Sequence, residues 1–347
     1  MRTRSLVLQV FLAVITAHLQ TSWAFKPDTR LLVPSKVLVV GAAGKVGKQV
    51  VRRLQERGFE VRALARDTSK VEILEGAGGR VAVEVVRGDV TDKQSLAAAM
   101  RGCQACIACH GSSRISKLSD LWTHPSKDLR HPYYVNSLGV RRLAEAAAES
   151  EGCKRLVRIT GLSVGLPAWN PVAAALNLLA SMAVCWQMSG ERELRSAAAR
   201  DGVDYTIVRP GGLTDEDRPE GACLALASDG QPTPSKLGYR ISRADVANLM
   251  VAVLEHDNIR RATLSCVWGK DPGGPQEWGP LLEKVLPDKT PLPQRPYRPV
   301  VLGLFGALLS VAAVAAVTAA RLAVATSGAL AALLSGALAA RQGATAV

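Results

Sequence analysis

The middle of the chain alternates short apolar runs with longer segments in which apolar residues recur at helical spacing. Short continuous apolar runs are typical of strands that helices cover on both faces. The predicted strands are Lys36–Val40, Glu60–Ala65, Val81–Arg87, Ala105–Cys109, Arg155–Thr160, Tyr205–Val208 and Ala262–Val267. The predicted helices are Lys45–Arg57, Lys93–Met100, Tyr133–Glu149, one long helix over 170–199, and Arg243–Glu255. This alternation predicts an α/β domain with a doubly wound parallel sheet over residues 36–286.

Three glycines follow the first predicted strand, where the first helix begins. Gly41, Gly44 and Gly47 have the spacing Gly-x-x-Gly-x-x-Gly. In a dinucleotide-binding turn the first glycine allows the tight turn, the second lets backbone N–H groups approach the pyrophosphate, and the third permits close helix–strand packing. The helix N-terminus adds partial positive charge for the phosphates. The strand–turn–helix context therefore predicts a phosphate site here rather than a plain structural turn.

The second and third predicted strands both end beside charged residues. Arg66 and Asp67 close the second strand, where an acid binds the ribose 2′-hydroxyl of NAD and an arginine accepts the 2′-phosphate of NADP. Arg66 comes first and Lys45 adds a cation from the glycine loop, which favours NADP and leaves NAD as the alternative. Asp89 follows the third strand, and we expect it either to contact the adenine amino group or to cap the helix at Lys93.

Longer motifs extend the pattern beyond the glycine loop. They are VLVVGAAGKVG at 37–47, VRALARD at 61–67, GDVTD at 88–92, DYTIVRPGGLTDE at 204–216 and ISRADVANLMVAVL at 241–254. Through them, residues 36–270 resemble the atypical short-chain dehydrogenase/reductase family, in its NAD(P)H-binding, NmrA-like branch with plant and algal plastid members. The resemblance implies a Rossmann-like fold. The cofactor-binding residues that it implies are Gly41, Gly44, Lys45, Val46, Gly47, Arg66 and Asp89, with Thr160, Arg209 and Pro210 near the nicotinamide.

The chain departs from the resembled family where proton transfer takes place. Short-chain reductases usually place a Tyr and a Lys four residues apart on the helix after the fifth strand; the Tyr donates a proton and the Lys lowers its pKa. In this chain those positions fall on Ala183 and Gln187, which transfer no proton. The remaining catalytic candidates are Thr160, Ser163 and His110. Hydride transfer to a quinone-like or flavin-like acceptor needs no such pair.

Two functions fit this pattern of retained and lost residues. One is an NADP(H)-dependent oxidoreductase with a small, lipophilic substrate. The other is a non-catalytic module that senses NADP(H) or helps to assemble a protein complex at a plastid membrane. The intact cofactor loop is expected of both, so the sequence does not decide between them.

The cysteines include a spacing that is typical of haem or iron–sulfur proteins. Cys103, Cys106 and Cys109 are each separated by two residues, and His110 follows. They fall on the fourth predicted strand, where alternation is expected to put Cys106 on the face opposite Cys103 and Cys109. We therefore interpret them as buried core thiols and predict no metal site.

Both ends of the chain lie outside the predicted domain. Residues 1–24 carry two arginines, an apolar stretch and small residues, which is the pattern of a signal peptide. The short segment 25–35 that follows is similar to the second part of the plastid-targeting presequence of algae with secondary plastids. After a linker at 287–299, residues 300–340 are mostly apolar, carry no charge apart from Arg321, and predict a membrane anchor of one or two helices. The predicted location is a plastid membrane, with another endomembrane as the alternative.

The charge balance is basic but gives no nucleic-acid signature. Lys and Arg outnumber Asp and Glu by 43 to 30, for a formal net charge of +13. The basic residues are scattered, with no run of five or more like charges and no interleaved aromatic residues. A basic cofactor pocket and basic flanks of a membrane segment account for the excess, so nucleic acid is not a predicted partner.

Overall fold

The computed structural model describes residues 35–72, 83–114, 117–121, 128–232, 239–289, 291–292 and 297–344. The predicted signal peptide lies outside the described residues, as does the transit segment up to residue 34. Within the described part, strands and helices alternate as the hydrophobic pattern predicts, and the differences lie mainly after residue 170.

The strands are, in chain order, β1 Lys36–Val40, β2 Glu60–Ala65, β3 Val83–Arg87, β4 Ala105–Ala108, β5 Arg155–Ile159, β6 Asp204–Pro210, β7 Gly212–Thr214, β8 Ala222–Ser228, β9 Arg240–Ser242 and β10 Ala262–Lys270. The main sheet has the order β3-β2-β1-β4-β5-β6-β10-β8. All of its neighbouring strands are parallel except β8, which runs antiparallel along β10 at the edge. The predicted parallel sheet is confirmed, and the edge strand is an addition that βα alternation does not reveal. Strands β7 and β9 pair separately.

The helices are α1 Lys45–Glu56, α2 Lys93–Met100, α3 Gly139–Glu149, α4 Pro171–Leu179, α5 Ala183–Asp201, α6 Arg243–Ala252, α7 Gly279–Leu282 and α8 Tyr297–Ala344. A π-helical turn at Tyr133–Leu138 leads into α3. One apolar core lies between the sheet and the pair α1 and α6, and a second lies on the opposite face under α2, α3 and α5. Helices on both faces make this a doubly wound sheet.

The single long helix predicted over 170–199 is wrong, because the chain bends sharply between α4 and α5. The two helices meet at 99°, and Ser181 and Met182 at the bend have φ angles of +50° and +59°. No glycine or proline marks this place in the sequence. The bend is stabilised from elsewhere in the chain: Ser181 Oγ donates to Asp120 Oδ2 at 2.7 Å, and Arg114 Nη1 donates to Ser181 Oγ at 3.1 Å.

Cys103 and Cys106 are buried as predicted and Cys109 is partly buried, but their faces differ from the expectation. Cys103 and Cys106 pack in the same core, together with Cys153, while Cys109 contacts the core on the other side of the sheet. Alternation does not apply to Cys103, because β4 begins only at Ala105. Burial raises the pKa of the Cys109 and Cys153 thiols to about 12, so both are protonated. Among the described residues, no group of His, Cys, Asp and Glu is arranged to hold a metal ion.

The two apolar runs at the C-terminal end form one continuous helix. Helix α8 passes through Arg321 without the turn that a second, returning span would need. Its segment Tyr297–Ala323 is long and apolar enough to cross a membrane. The beginning of α8 packs against α4 and α5 through a third apolar cluster that includes Val164, Met188 and Tyr297.

Candidate functional site

The carboxyl ends of β1, β2 and β4 form one side of a cleft. The chain leaves β1 toward β2 and β3 on one side and continues through β4 on the other. Open α/β sheets bind ligands at such a reversal of strand order. The cleft has a volume of about 340 Å³. Five of the predicted site residues line it: Gly41, Gly44, Arg66, Asp89 and His110.

The glycine loop has little room for side chains. Gly41 turns the chain out of β1 with a φ of +81°, a conformation that glycine adopts readily. A Cβ at Gly41 would lie 2.9 Å from the backbone of His110, and a Cβ at Gly47 would overlap the carbonyl oxygen of Gly41. Gly44 faces the cleft, and its Cβ would meet the same carbonyl oxygen at 3.2 Å. The loop therefore presents backbone without side chains to the cleft.

The N-terminus of α1 has no side-chain cap. Helices α2, α4 and α6 begin with side chains that accept from their first-turn N–H groups, namely Asp92, Asn170 and Ser242. At α1 the N-cap is Gly44, which has no such side chain, and no acidic residue stands in the first turn. The first N–H groups of a helix have no intrahelical partner. They are therefore suited to bind the phosphate oxygens of a dinucleotide.

Two basic side chains, Arg66 and Lys70, and one acidic side chain, Asp67, line the cleft at the end of β2. Asp67 already binds other groups of the protein. Arg66 is 58% exposed, with Nε 3.9 Å from Asp89 Oδ2. Asp67 Oδ1 accepts from the backbone N–H and hydroxyl of Ser69, and Asp67 Oδ2 lies 3.1 Å from Lys70 Nζ. The Ser69 hydroxyl and Lys70 lower the pKa of Asp67. Both carboxylate oxygens of Asp67 are thus occupied, whereas Arg66 faces the cleft.

Asp89 lies in the cleft and does not cap the following helix. Its Oδ1 accepts from the backbone N–H and the hydroxyl of Thr91, each at 2.9 Å. The cap of α2 is Asp92, whose Oδ1 accepts from the N–H of Gln94. The capping alternative for Asp89 is therefore wrong. Its Oδ2 pairs with Arg66 Nε at 3.9 Å, a separation longer than a hydrogen bond.

Besides Gly47, which packs against the backbone of Gly41, two predicted cofactor residues of the glycine loop do not line the cleft. Lys45 Nζ lies 3.1 Å from Asp215 Oδ2, in an exposed ion pair that Arg243 extends, so it does not join Arg66 as expected. Val46 is buried in the core between the sheet and α1. Lys70, which the sequence did not single out, takes the place of the second cation.

His110 lies in the wall of the cleft just after β4. Both of its ring nitrogens are buried and have no hydrogen-bond partner. Burial and the neighbouring Arg158 guanidinium lower the pKa of His110 well below its usual value. Arg158 is itself buried and donates from Nη1 to the carbonyl oxygens of Ala108 and His110, at 3.3 and 2.5 Å. The imidazole is therefore neutral at physiological pH, a form that can accept a proton but is a poor general acid.

The two residues predicted near the nicotinamide, Thr160 and Arg209, belong to a buried ionic network. Thr160 Oγ1 donates to Glu191 Oε1 at 2.7 Å, and Arg209 donates to both Glu191 oxygens, at 3.1 and 2.5 Å. Arg209 Nη1 continues to Asp229 Oδ1 at 2.9 Å. The side chains of Arg209 and Glu191 are 3% and 0% exposed. Neither Thr160 nor Arg209 lines the cleft, because their polar atoms point into this network.

The other residues predicted on this side are likewise away from the cleft. Pro210 is buried at the end of β6. Ser163 lies in a 3-10 turn after β5, close to Gly161. A Cβ at Gly161 would stand 3.7 Å from Ser163 Oγ and 4.0 Å from Gln187 Oε1. Ser163 and Gln187 therefore both lie near Gly161, whereas Ala183, four residues before Gln187, supplies only a methyl group.

The cleft also contains residues that the sequence analysis missed. Gly111, Ser112 and Ser113 follow β4, and Arg130 stands at the rim. Ser112 Oγ donates to the carbonyl oxygen of Arg130 at 2.6 Å, and its N–H donates to Asn136 Oδ1 at 3.3 Å. The position of Gly111 directly after a predicted strand was a usable signal, since cleft residues gather at strand carboxyl ends. Arg130 gave no such signal, because it comes from a loop.

A second cleft, of about 430 Å³, lies on the far side of α5. Its charged lining residues are Arg192, Arg195, Arg261, Lys289 and Asp288. Arg195 Nη2 lies 2.9 Å from both Asp229 Oδ2 and Asp288 Oδ2, so this cleft is joined to the buried network. It has no glycine loop and no helix N-terminus comparable to that of α1, which makes it the weaker candidate for a nucleotide.

Comparison with known proteins gives matches that centre on the same domain. A family model described as NAD(P)H-binding matches residues 41–257. The protein TIC 62 of Arabidopsis thaliana, described as chloroplastic, is 29% identical over 273 residues, which cover 74% of this chain and 39% of that protein. An uncharacterized chloroplastic protein of the same plant is 30% identical, over 63% of this chain and 71% of its own length. Sanguinarine reductase of Eschscholzia californica is 27% identical, over 65% and 85% of the two chains.

Solved structures match the same fold. An oxidoreductase from Lactococcus lactis gives a TM-score of 0.51 at 21% identity, covering 68% of this chain and 92% of that one. A short-chain dehydrogenase/reductase from Veillonella parvula, solved in complex with NADP, gives 0.50 at 16% identity, covering 69% and 95%. At such identities the likeness concerns the fold alone. The chain spans 39% of the length of the Arabidopsis TIC 62 protein, so the two share one region rather than a whole architecture.

Proposed function

This chain belongs to the NAD(P)H-binding family of atypical short-chain dehydrogenases/reductases, and we propose that it binds NADP(H) in the cleft at the end of β1 as a membrane-tethered oxidoreductase of plastids. The observation that supports the cofactor site best is the uncapped N-terminus of α1 behind Gly44, beside the exposed Arg66. Backbone N–H groups would hold the pyrophosphate there.

The side chains at the end of β2 favour NADP over NAD. Both oxygens of Asp67 are occupied by Ser69 and Lys70, so this carboxylate is poorly placed to accept from a ribose 2′-hydroxyl. The guanidinium of Arg66 faces the cleft, with Lys70 beside it. Cations that form charge-assisted hydrogen bonds favour a 2′-phosphate over a hydroxyl. We expect Asp89 to accept from the adenine amino group through Oδ2, once Arg66 turns from this oxygen to the phosphate.

The reaction that these residues support is hydride transfer without a protein proton donor. Bound NADPH would supply the hydride. Ala183 and Gln187 replace the usual Tyr and Lys, the Thr160 hydroxyl is committed to Glu191, and His110 is neutral. An acceptor that takes its proton from water, such as a quinone or a flavin-like compound, fits this surrounding. A lipophilic acceptor of this kind also agrees with an enzyme that is held at a membrane.

The proposed location rests on two observations. The first two relatives named above are described as chloroplastic. The segment Tyr297–Ala323 is long and apolar enough to cross a bilayer, and only 6% of its most apolar window is buried against the rest of the chain. A helix whose apolar side chains are mostly uncovered needs a lipid environment.

A second candidate function is NADP(H) sensing or membrane-complex assembly without catalysis. The commitment of Thr160 and Arg209 to a buried network supports it, because the half of the site that should hold a substrate is filled by structural contacts. NADPH oxidation by the full chain in lipid vesicles, measured with a panel of quinones, separates the two. Turnover with any quinone supports the oxidoreductase, whereas NADPH binding without turnover on the whole panel supports the sensor.

The cofactor assignment is tested by Arg66→Ala. Charge-assisted hydrogen bonds contribute on the order of 1.5–3 kcal/mol each, so the loss of one should weaken NADPH binding roughly tenfold to a hundredfold. NADH lacks the phosphate, and its affinity should change little. Calorimetric titration of both nucleotides into the full chain in detergent micelles measures the ratio.

Two further variants serve as controls for that titration. Arg52→Ala removes a similarly exposed arginine on the outside of α1, where it pairs with Glu56, and should leave both affinities unchanged. Gly44→Val should weaken both nucleotides alike, since a branched side chain would block the pyrophosphate. An unchanged NADPH/NADH ratio in Arg66→Ala would refute the 2′-phosphate site. Binding of neither nucleotide to the native chain would refute the function itself.

A further inference from the structure

The outward face of α4 and of the residue pair before it is apolar. Trp169, Val172, Leu176 and Leu179 are 73%, 57%, 42% and 73% exposed. Val172, Leu176 and Leu179 recur at intervals of four and three residues and so form one stripe on a face of α4, while Trp169 stands just before the N-cap of that helix. Large side chains this exposed usually stand singly on a soluble surface, whereas a contiguous group marks a site of contact.

The sequence around this stripe contains no charge. From Ile159 to Gly190 there is no Asp, Glu, Lys, Arg or His residue. An ordinary surface helix carries charged residues on its solvent side, and α4 has none. Together, α4 and α5 are long and apolar enough to pass as a membrane span, yet they are bent by 99°. Composition therefore indicates an apolar environment, while geometry excludes a straight crossing.

The inward face of α4 contacts the beginning of α8. Ala173 of α4 belongs to the same buried cluster as Tyr297 and Val301 of α8. Tyr297 Oη donates to the carbonyl oxygens of Val164 and Leu166, at 3.2 and 3.3 Å. These contacts fix the candidate membrane helix to the same small region of the domain that carries the apolar stripe.

The point at which the apolar side chains of α8 become exposed sets the height of α4 relative to a bilayer. Crossing the hydrocarbon core takes about 20 residues, so the candidate span of 27 residues is long enough to begin its crossing after the contacts with the domain. The contacts with the domain lie at the N-terminal end, from Tyr297 to Phe305, and large side chains from Leu304 onward are exposed. The end of α8 that holds α4 thus lies at the level of the lipid headgroups.

We propose that Trp169 and the outward face of α4 lie in the interfacial layer of the membrane that α8 crosses. The occupant of the stripe is lipid: an amphipathic helix lies in the plane of the interface with its apolar face about 5–10 Å into the headgroup–acyl boundary, and tryptophan is enriched at that depth. The inference rests on the proposed membrane anchor. It fixes the orientation of the domain, so that the nucleotide cleft is held at a set distance from the bilayer.

Quenching of tryptophan emission by brominated lipid tests this orientation. Helix α8 contains no tryptophan, so emission in vesicles reports on the rest of the chain. The full chain is reconstituted into phosphatidylcholine vesicles whose acyl chains carry bromine near the headgroup. We expect strong quenching in the native chain and loss of most of it in Trp169→Phe. Trp278→Phe, which removes a buried tryptophan from the core under α6, should keep the quenching.

A second variant changes the stripe without touching the reporter. Leu176→Glu places a charge in the exposed stripe, and we expect it to lower the quenching of Trp169 while the protein still floats with the vesicles. Leu129→Glu alters an apolar residue that is 55% exposed elsewhere and should change nothing. Because both positions are exposed, neither variant is expected to unfold the domain.

The outcomes separate this inference from the anchor on which it rests. A native chain that does not float with vesicles would refute the anchor. A chain that floats but shows equal quenching in native and Trp169→Phe forms would refute the orientation and leave the anchor intact. If the detergent-solubilised chain is a dimer that Leu176→Glu makes monomeric, the stripe binds a second copy, and the lipid assignment is wrong.

Discussion

Polar side chains are exposed along one half of the sheet's carboxyl edge and are paired inside the fold along the other half. At the ends of β1 and β2, Arg66 is exposed in the cleft, Lys70 pairs with the exposed Asp67, and the N-terminus of α1 is uncapped. At the ends of β5 and β6, Thr160 and Arg209 are bound to Glu191, and the contacts continue through Asp229. The first half keeps its groups available for a ligand, while the second half uses them to hold the fold together.

This difference follows from burial. A buried charge is stable only if it is paired and hydrogen-bonded, so Glu191 and Arg209 must satisfy one another and cannot also serve a substrate. Exposed cations such as Arg66 lose little by leaving a weak partner for a phosphate. One half of this edge thus leaves polar groups exposed to a ligand, while the other half pairs them inside the fold. Three measurements probe this division, beginning with the largest expected effect.

The largest effect is expected on breaking the buried network. Glu191→Ala leaves Arg209 with one carboxylate in place of two and Thr160 without its acceptor. Removing one partner of a buried pair costs about 3–5 kcal/mol, which thermal and urea unfolding of the full chain in detergent micelles would measure. NADPH affinity, determined well below the midpoint of unfolding, should stay within experimental error, since the network does not line the cleft.

The matched control is Glu145→Ala. Glu145 forms an exposed pair with Arg141 at 3.1 Å, and exposed pairs contribute about 0–1 kcal/mol. If Glu191→Ala lowers the free energy of unfolding no more than this control does, the network does not stabilise the fold. A large loss of NADPH affinity at full stability would instead place Glu191 in the cofactor site.

An intermediate effect is expected from His110 as pH falls. Its folded-state pKa lies well below the ordinary value of 6.5, so the unfolded chain binds the proton more readily. The contribution of His110 to the free energy of unfolding should therefore be at its maximum above pH 6.5. Below that pH it should decline by at most about 1.4 kcal/mol per pH unit. Unfolding curves between pH 7.5 and 5.5 would show the slope.

Two histidine variants identify the source of that slope. His110→Asn removes the titrating ring and should flatten the decline by up to the amount given above. His256→Gln removes a histidine outside the cleft, in the segment after α6, and serves as the matched control for the loss of an imidazole. An unaltered slope in His110→Asn would show that the imidazole is not the group whose protonation destabilises the fold.

The smallest effect is expected from Lys45→Ala. Its exposed pair with Asp215 should contribute no more than about 1 kcal/mol to stability. Because Lys45 lies beside Asp215 and not beside Arg66, the NADPH/NADH affinity ratio should change less than in Arg66→Ala. Parallel titration of the two variants checks this order, and a larger change in Lys45→Ala would mean that Lys45, which the sequence predicted only as the second cation, is the main partner of the 2′-phosphate.

The sequence by itself determined the first half of the fold and the position of the cleft. Strand β1, the glycine turn and α1 follow from local rules, since periodicity defines the elements and the backbone at Gly41 and Gly47 tolerates no side chain. Arg66 and Asp89 follow as well, because residues that close parallel strands gather at one edge of the sheet.

Tertiary structure alone decided which polar groups are exposed in the cleft and which pair with other groups of the chain. Lys45 meets an acid 170 residues away, and Arg209 reaches Glu191 and Asp229 on other elements. The bend at Ser181 depends on Asp120, 61 residues earlier. The partner of a charge is set by contacts between distant segments, which no local pattern of hydrophobic and polar residues records.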